Sequence, residues 1–124
     1  MKRLALAVAI LIRLATPSQA DFQAGVDAYL LGDYTTALQE FKPLAEQGNA
    51  DAQNNLGVMY ADGRGVLQDY VGAHMWYNLA ASRLAPGLNR DMAVRNRDAL
   101  ATVMTPAQIA EAQRLAREWK PKPE

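Results

Sequence analysis

Apolar residues return every three or four positions in two stretches between Ala50 and Ser82, separated by a short loop that carries glycines. In the first stretch Ala52, Leu56, Met59 and Tyr60 fall on one helical face. In the second, Ala73, Trp76, Tyr77, Ala80 and Ala81 alternate small residues with large aromatics. Small residues let two helices approach closely, and aromatics fill the space beside them. Between the stretches, Gly63 and Gly65 can reach positive φ at little cost, as a tight reversal requires. Asp69 stands where an N-cap belongs, its carboxylate free to accept from the first N–H groups of the second helix. The pattern predicts two amphipathic helices joined by a tight loop.

Asp21 to Gly48 is a weaker copy of the same pattern. Tyr29 and Gly32 match Tyr60 and Gly63 at a shift of 31 residues. Asp33, Tyr34, Ala37, Phe41 and Ala45 match Asp69, Tyr70, Ala73, Tyr77 and Ala81 at a shift of 36. The difference of five is an insertion, Arg64 to Gln68, in the central loop. A fixed period in this range is the mark of a helical repeat array. Pro43 lies inside the second helix of the copy, where it removes the bond to the Gln39 carbonyl, so a kink or early break is expected there. Gly48 is positioned to end that helix in a left-handed conformation.

Beyond Ser82, Pro86-Gly87 marks a turn. Ala93, Ala99, Leu100, Val103 and Met104 then predict a long helix from Asn89 to Met104, with Arg90, Arg95 and Arg97 outside. Thr105-Pro106-Ala107-Gln108 is a capping box with proline at the first helical position. Ile109, Ala112, Ala116 and Trp119 form one stripe of the last helix, and Glu111, Arg114 and Glu118 stand at ion-pair spacings. Pro121 and Pro123 stop it.

The run Ala52-x-x-x-Leu56-Gly57-x-Met59-Tyr60-x-x-Gly63-x-Gly65-Val66-x-x-Asp69, followed by Ala73-x-x-Trp76-Tyr77-x-x-Ala80-Ala81, resembles one complete Sel-1-like repeat. The stretch from Asn96 to Trp119 is similar to the closing segment of many bacterial members of that family, and with the leader pattern of residues 1–20 the chain resembles an exported bacterial member. The family is related to the tetratricopeptide repeats. The resemblance implies an all-α chain, a short right-handed α-solenoid of helix-turn-helix repeats with a C-terminal helical cap, that binds other proteins. The expected divisions are a signal peptide over 1–20, a degenerate repeat over 21–49, the Sel-1-like repeat over 50–85, capping helices over 86–120 and a tail over 121–124. The resemblance further implies that the first helix of each repeat lines a concave face. At the 31-residue shift that face holds Ala24, Asp27 and Leu31 beside Asn55, Val58 and Asp62. Leu31, Asn55 and Val58 would contact the partner, while Asp27 and Asp62 would select a polar or basic segment.

Charge and composition narrow the setting. Lys2 and Arg3, the apolar run Leu4 to Ile12 and the small residues at Ser18 and Ala20 make the pattern of a secretory signal peptide. The run is too short to span a bilayer, which takes ~20 residues. Cleavage after Ala20 would leave Asp21 first, in the periplasm or outside the cell, with no cysteine at the junction to carry a lipid. Export is the only expected involvement of a membrane. The chain has no cysteine at all, so helix packing must replace the disulfides common in small exported domains. Asp21 to Ser82 carries two basic and eight acidic residues, and Arg83 to Glu124 eight basic and five acidic. The acidic repeat half disfavours nucleic acid and favours a protein or peptide partner with basic character.

Little in the sequence points to chemistry. His74 is the sole histidine, which without cysteine cannot build a zinc site; it is expected on the surface or half-buried in a structural role. Ser82 stands eight residues along the same helix, ~12 Å away at 1.5 Å per residue, too far for a catalytic pair. Gly63-Arg64-Gly65 follows a helix rather than a strand, lacks a third glycine and leads to Asp69, a poor phosphate cradle. No cofactor is called for. The expectation is a non-enzymatic adaptor or regulator of the cell envelope. The alternatives are an envelope hydrolase acting on cell wall or β-lactams, for which Ser-x-x-Lys is missing, and a structural protein without a defined ligand.

Overall fold

The computed structural model describes residues 20–123, and the expected signal peptide lies outside them except for Ala20. Six helices follow one another: α1 (Phe22–Leu30), α2 (Tyr34–Glu46), α3 (Ala50–Asp62), α4 (Tyr70–Arg83), α5 (Leu88–Ala101) and α6 (Pro106–Glu118). Among the described residues there is no strand. Consecutive helices pack on each other from α1 to α5, with α3 and α4 the most closely joined, and α6 lies along α4. The architecture is an all-α helical repeat closed at its C-terminal end by α5 and α6.

Side-chain caps set most helix starts. The Asp21 carboxylate accepts from Gln23 N and Ala24 N, that of Asp33 from Thr36 N, the Asn49 side chain from Ala52 N and the Asp69 carboxylate from Gly72 N. Each satisfies an N–H that has no partner within its helix. At α6 both bonds of the capping box are made, Thr105 N to Gln108 Oε1 at 2.9 Å and Gln108 N to Thr105 Oγ1 at 3.2 Å. Pro43 does not break α2: the helix runs on to Glu46, one turn past the proline. The chain reverses only at Gly48 (φ 102°), where Asn49 N bonds to Leu44 O and Gly48 N to Ala45 O.

The largest core cluster joins the two pairs: Phe41 and Ala45 of α2 meet Ala52, Leu56 and Met59 of α3 and Trp76 and Leu79 of α4. A second cluster holds Ala73 and Tyr77 against Leu100, Met104 and Ala112, which fixes the α5–α6 corner on α4. Trp119, at the end of α6, reaches the first cluster, its ring edge-on to Trp76 at 6.2 Å and beneath the Arg83 guanidinium at 4.7 Å. The tail then crosses to α2, where Lys122 N donates to Glu46 O at 2.8 Å and Lys122 Nζ pairs with the Glu46 carboxylate at 3.2 Å. The C-terminal end therefore ties α6 to the far end of α2 as well as to α4.

The inserted loop holds the two pairs together from the opposite side. Arg64 Nη1 donates to Tyr29 Oη at 2.7 Å, and its guanidinium lies over the rings of Tyr29 and Tyr34. Gly65 (φ +73°) lies so close to α2 that a Cβ there would stand 2.8 Å from Tyr34 O. The five extra residues thus cross from the second pair to the first.

Candidate functional site

A groove of about 280 Å³ opens on the side formed by α1, α3 and α5. Val26, Tyr29 and Leu30 line it from α1, Asn54, Asn55 and Val58 from α3, Met92 and Asn96 from α5, and the buried Phe41 from α2. Leu30 is 77% exposed and Met92 44%, so two large apolar side chains face water at the two margins. No lining residue carries a charge. Asn96 Nδ2 donates to Asn54 Oδ1 at 3.4 Å, a long bond that ties α5 to α3, and the Asn55 carboxamide has no hydrogen-bond partner among the described residues.

The register of the repeat explains which α1 residues reach the groove. Gly25 faces Phe41 as Gly57 faces Tyr77: a Cβ on either would stand 2.7 Å and 2.6 Å from a carbon of the aromatic ring. These contacts recur at 32 residues, and Val26 and Val58, also 32 apart, both line the groove. The shift of 31 holds for the turn glycines, because Gly63 is the C-cap of α3 while Gly32 follows the C-cap of α1, Leu31. One residue of register moves a side chain by about 100° around a helix.

Of the residues expected on the concave face, Asn55 and Val58 therefore come together in the groove. Asp27 lies beside Val26 and outside the lining, accepting from Gln23 Nε2 at 2.9 Å. Leu31 is exposed at the C-cap of α1, and Asp62 ends α3 beside Arg64, 3.9 Å from its Nε. Tyr29 and Phe41, expected as packing residues of the repeat, also line the groove, and Val26, Leu30, Asn54, Met92 and Asn96 complete it without having been expected. The repeated pair Gly25 and Gly57 was the signal in the sequence for Val26 and Leu30; nothing in the spacing placed α5 beside α3.

His74 departs from its expected surface or half-buried position. It is 4% exposed, and its Nδ1 has no hydrogen-bond partner among the described residues. The cause is α5, which covers that side of α4. Arg97, expected outside, lies across this interface and donates to Asn78 Oδ1 at 3.2 Å. Burial holds the His74 imidazole below its ordinary pKa, the nearby Arg97 guanidinium lowers it further, and Asp98 acts in the opposite direction. Burial likewise pushes the Tyr77 hydroxyl above the usual phenol range.

Ser82 Oγ donates to Leu79 O, within its own helix. No group of three or more histidine, aspartate or glutamate side chains is placed to hold a metal among the described residues. Nor is any described helix long and apolar enough to cross a membrane. The geometry on offer is a shaped, uncharged surface with a few free polar groups, which can bind.

Comparison with known proteins bears on the central pair. Residues 50–83, which are α3, the inserted loop and α4, match the family model of the Sel1 repeat. Neither the curated proteins nor the solved structures gave a match. Sel1 repeats are generally protein–protein interaction modules and typically not enzymes. The α3–α4 pair is a Sel1 repeat.

Proposed function

We propose that this protein is an exported, non-enzymatic repeat protein that captures another protein or a peptide segment in the cell envelope, as an adaptor or regulator. The observation that carries the reading is the uncharged groove across three helices beside a Sel1 repeat. An apolar concavity with a few convergent polar groups is the usual form of a recognition site. The groove residues Asn55 and Val58 make the contacts, and Asp27, Leu31 and Asp62, around the same helices, set what approaches. Carboxylates in these positions favour a partner with basic character and speed its encounter.

Export is supported by the leader pattern of residues 1–20. Asp21 caps α1, and its backbone N donates to Glu40 Oε2 at 2.6 Å. After cleavage behind Ala20 that nitrogen becomes an ammonium already facing a carboxylate.

A photo-crosslinking residue at Val58, with one at Lys42 on α2 as control, tests the binding reading in intact cells. A discrete protein partner trapped from Val58 and not from Lys42 is the expected result. The same pattern of products from both positions, or none from either, would remove it. Intact mass of the extracytoplasmic fraction tests export: a chain that begins at Asp21 is expected, and full-length chain confined to the cytosol would sink that part.

A further inference from the structure

We infer that the part of α5 from Leu88 to Arg97 is a pH-operated flap, docked on α4 while the His74 imidazole is neutral and lifted when that ring takes up a proton.

This part of α5 is held lightly. Of the six described helices, α5 alone starts without a side-chain cap. Its first residue follows Gly87, whose φ is 152° and where a Cβ would meet nothing within 4 Å. Only Ala93 and Leu100 are buried in it. Ala93 packs on Ala80 and Ala81, small side chains with little apolar surface to lose to water. Leu100 belongs instead to the corner with Met104, Ala112 and Tyr77. Between Gly87 and that corner three side-chain bonds tie α5 down: Asn89 to Asp51 and Asn96 to Asn54, both at 3.4 Å, and Arg97 to Asn78 at 3.2 Å. A segment with few buried apolar contacts opens locally, below the energy of global unfolding. The corner at Leu100 is the pivot, and the loop through Gly87 gives at the other end.

His74 lies under this segment, one turn before Asn78 on α4. It is buried, and its Nδ1 has no hydrogen-bond partner among the described residues. In the imidazolium both ring nitrogens donate, so protonation would leave a buried charged donor without an acceptor. The charged groups that act on the ring come from α5: the Arg97 guanidinium opposes a positive charge and Asp98 favours one. Asp98 already pairs with Arg97 at 3.0 Å, with most of its own side chain in water. α3 carries Asp51 and Asp62 only at its two ends, and on α6 both Glu111 and Glu118 are held by Arg114. Tyr77, one turn further on α4, is kept neutral by burial. Lifting α5 removes Arg97 and admits water to the ring together. Burial first, and Arg97 after it, hold the imidazole below its ordinary pKa. Docking is therefore complete above the ordinary value of about 6.5 and weakens as pH falls through the folded one.

Met92 and Asn96 stand on the flap, so opening removes one wall of the groove. That consequence rests on the protein-binding reading above; the flap itself does not.

Amide hydrogen exchange of the unaltered protein at pH 7.5 and pH 5.5, in increasing low concentrations of urea, tests the flap. Urea separates local from global opening, because sensitivity to it grows with the surface exposed. The amides from Leu88 to Arg97 should exchange through an opening much less sensitive to urea than that of the α2 amides. After allowance for the intrinsic effect of pH on exchange, that opening should become several-fold more frequent at pH 5.5; the rise is at most about tenfold per pH unit. In His74→Gln the local opening should no longer respond to pH. Should that variant fail to fold, the titration of the chain's single histidine, followed by NMR in the unaltered protein, decides instead. Its midpoint should lie below 6.5, and the opening of α5 should level off as that midpoint is passed. Exchange in α5 with the same urea sensitivity as in α2 would overturn the inference, since α5 would then open only with the whole chain. So would a local opening indifferent to pH, an unchanged pH response in His74→Gln, or a histidine midpoint at or above 6.5, which would mean that the charge is received in place. None of these results bears on the crosslinks from Val58, which judge the protein-binding reading separately.

Discussion

Gly57 of α3 lies against the ring of Tyr77 of α4 so closely that a Cβ on the glycine would stand 2.6 Å from Tyr77 Cε1 and 3.3 Å from the Ala73 carbonyl oxygen. Glycine in the middle of a helix costs about 1 kcal/mol relative to alanine, and here the close approach of α3 and α4 offsets that cost. The ring cannot swing away, because Tyr77 is itself buried with Leu100, Met104 and Ala112 behind it. Gly57→Ala should therefore destabilise the chain by about 1–3 kcal/mol, as overpacked cores do, despite the better helix propensity. Urea denaturation of the two proteins measures it; a stabilised variant would mean that α3 and α4 are less tightly joined than this.

The same contact shows what the sequence made legible and what it hid. The helix pairs, the caps at Asp33 and Asp69, the box at Thr105–Gln108 and the Glu111–Arg114–Glu118 pairs are local patterns, and the structure has them all. The buried faces of α3 and α4 were legible for the same reason: apolar period is a property of one helix. The groove is not local. Its α1 side depends on whether the repeat is aligned on its turn glycines or on Gly25 and Gly57, a difference of one residue. Its α5 side depends on how the chain returns after Gly87, which no spacing encodes. His74 was misplaced by the same limit, since the helix that buries it is far along the chain.

Burial makes His74 a pH-dependent element of stability. Its folded pKa lies below the ordinary 6.5, so the unfolded chain binds a proton that the folded chain resists. The stabilising contribution is complete above the unfolded value of about 6.5 and is lost as pH falls through the folded one. The groups facing it across α5 are Arg97, which opposes a second positive charge, and Asp98, which favours one. The denaturation midpoint should fall between pH 7.5 and pH 5.5, with less fall in His74→Gln. His74→Ala, for which a surface site would mean almost no change, should now cost more than an exposed substitution, whose effect is usually within about 0.5 kcal/mol. A parallel pH profile for the unaltered chain and His74→Gln would assign the pH dependence to other groups.

The contact between Asp21 N and Glu40 Oε2 at 2.6 Å lets processing be read from stability. In a chain that begins at Asp21 the contact joins an ammonium to a carboxylate; in one that retains Ala20 it is a single hydrogen bond from an uncharged amide. Hydrogen bonds to charged donors are the stronger kind. Glu40→Gln should therefore lower the midpoint of the processed chain more than that of the chain retaining Ala20, and added salt should narrow the difference. Equal losses in both chains would show that the ammonium gains nothing from Glu40.

Two glycines with almost the same backbone separate strain from contact in the inserted loop. Gly32 has φ +77° and open space around a Cβ, with nothing within 4 Å. Gly65 has φ +73°, but its Cβ would meet Tyr34 O at 2.8 Å and the Met59 methyl at 3.1 Å. Alanine at either pays the left-handed penalty of roughly 1–2 kcal/mol. At Gly32 that is the whole effect. At Gly65 the obstacle is a carbonyl of α2, which can move only if the loop lifts, and lifting the loop draws Arg64 off Tyr29 and Tyr34. Gly65→Ala should therefore cost more than Gly32→Ala, and the excess measures how firmly the insertion holds the first pair to the second. Hydrogen exchange in α1 and α2 should quicken in Gly65→Ala by more than the loss of global stability explains, because the first pair loses a tie that the second keeps. Equal destabilisation by the two variants, with equal exchange in α1 and α2, would show that the loop lies over Tyr34 without holding it.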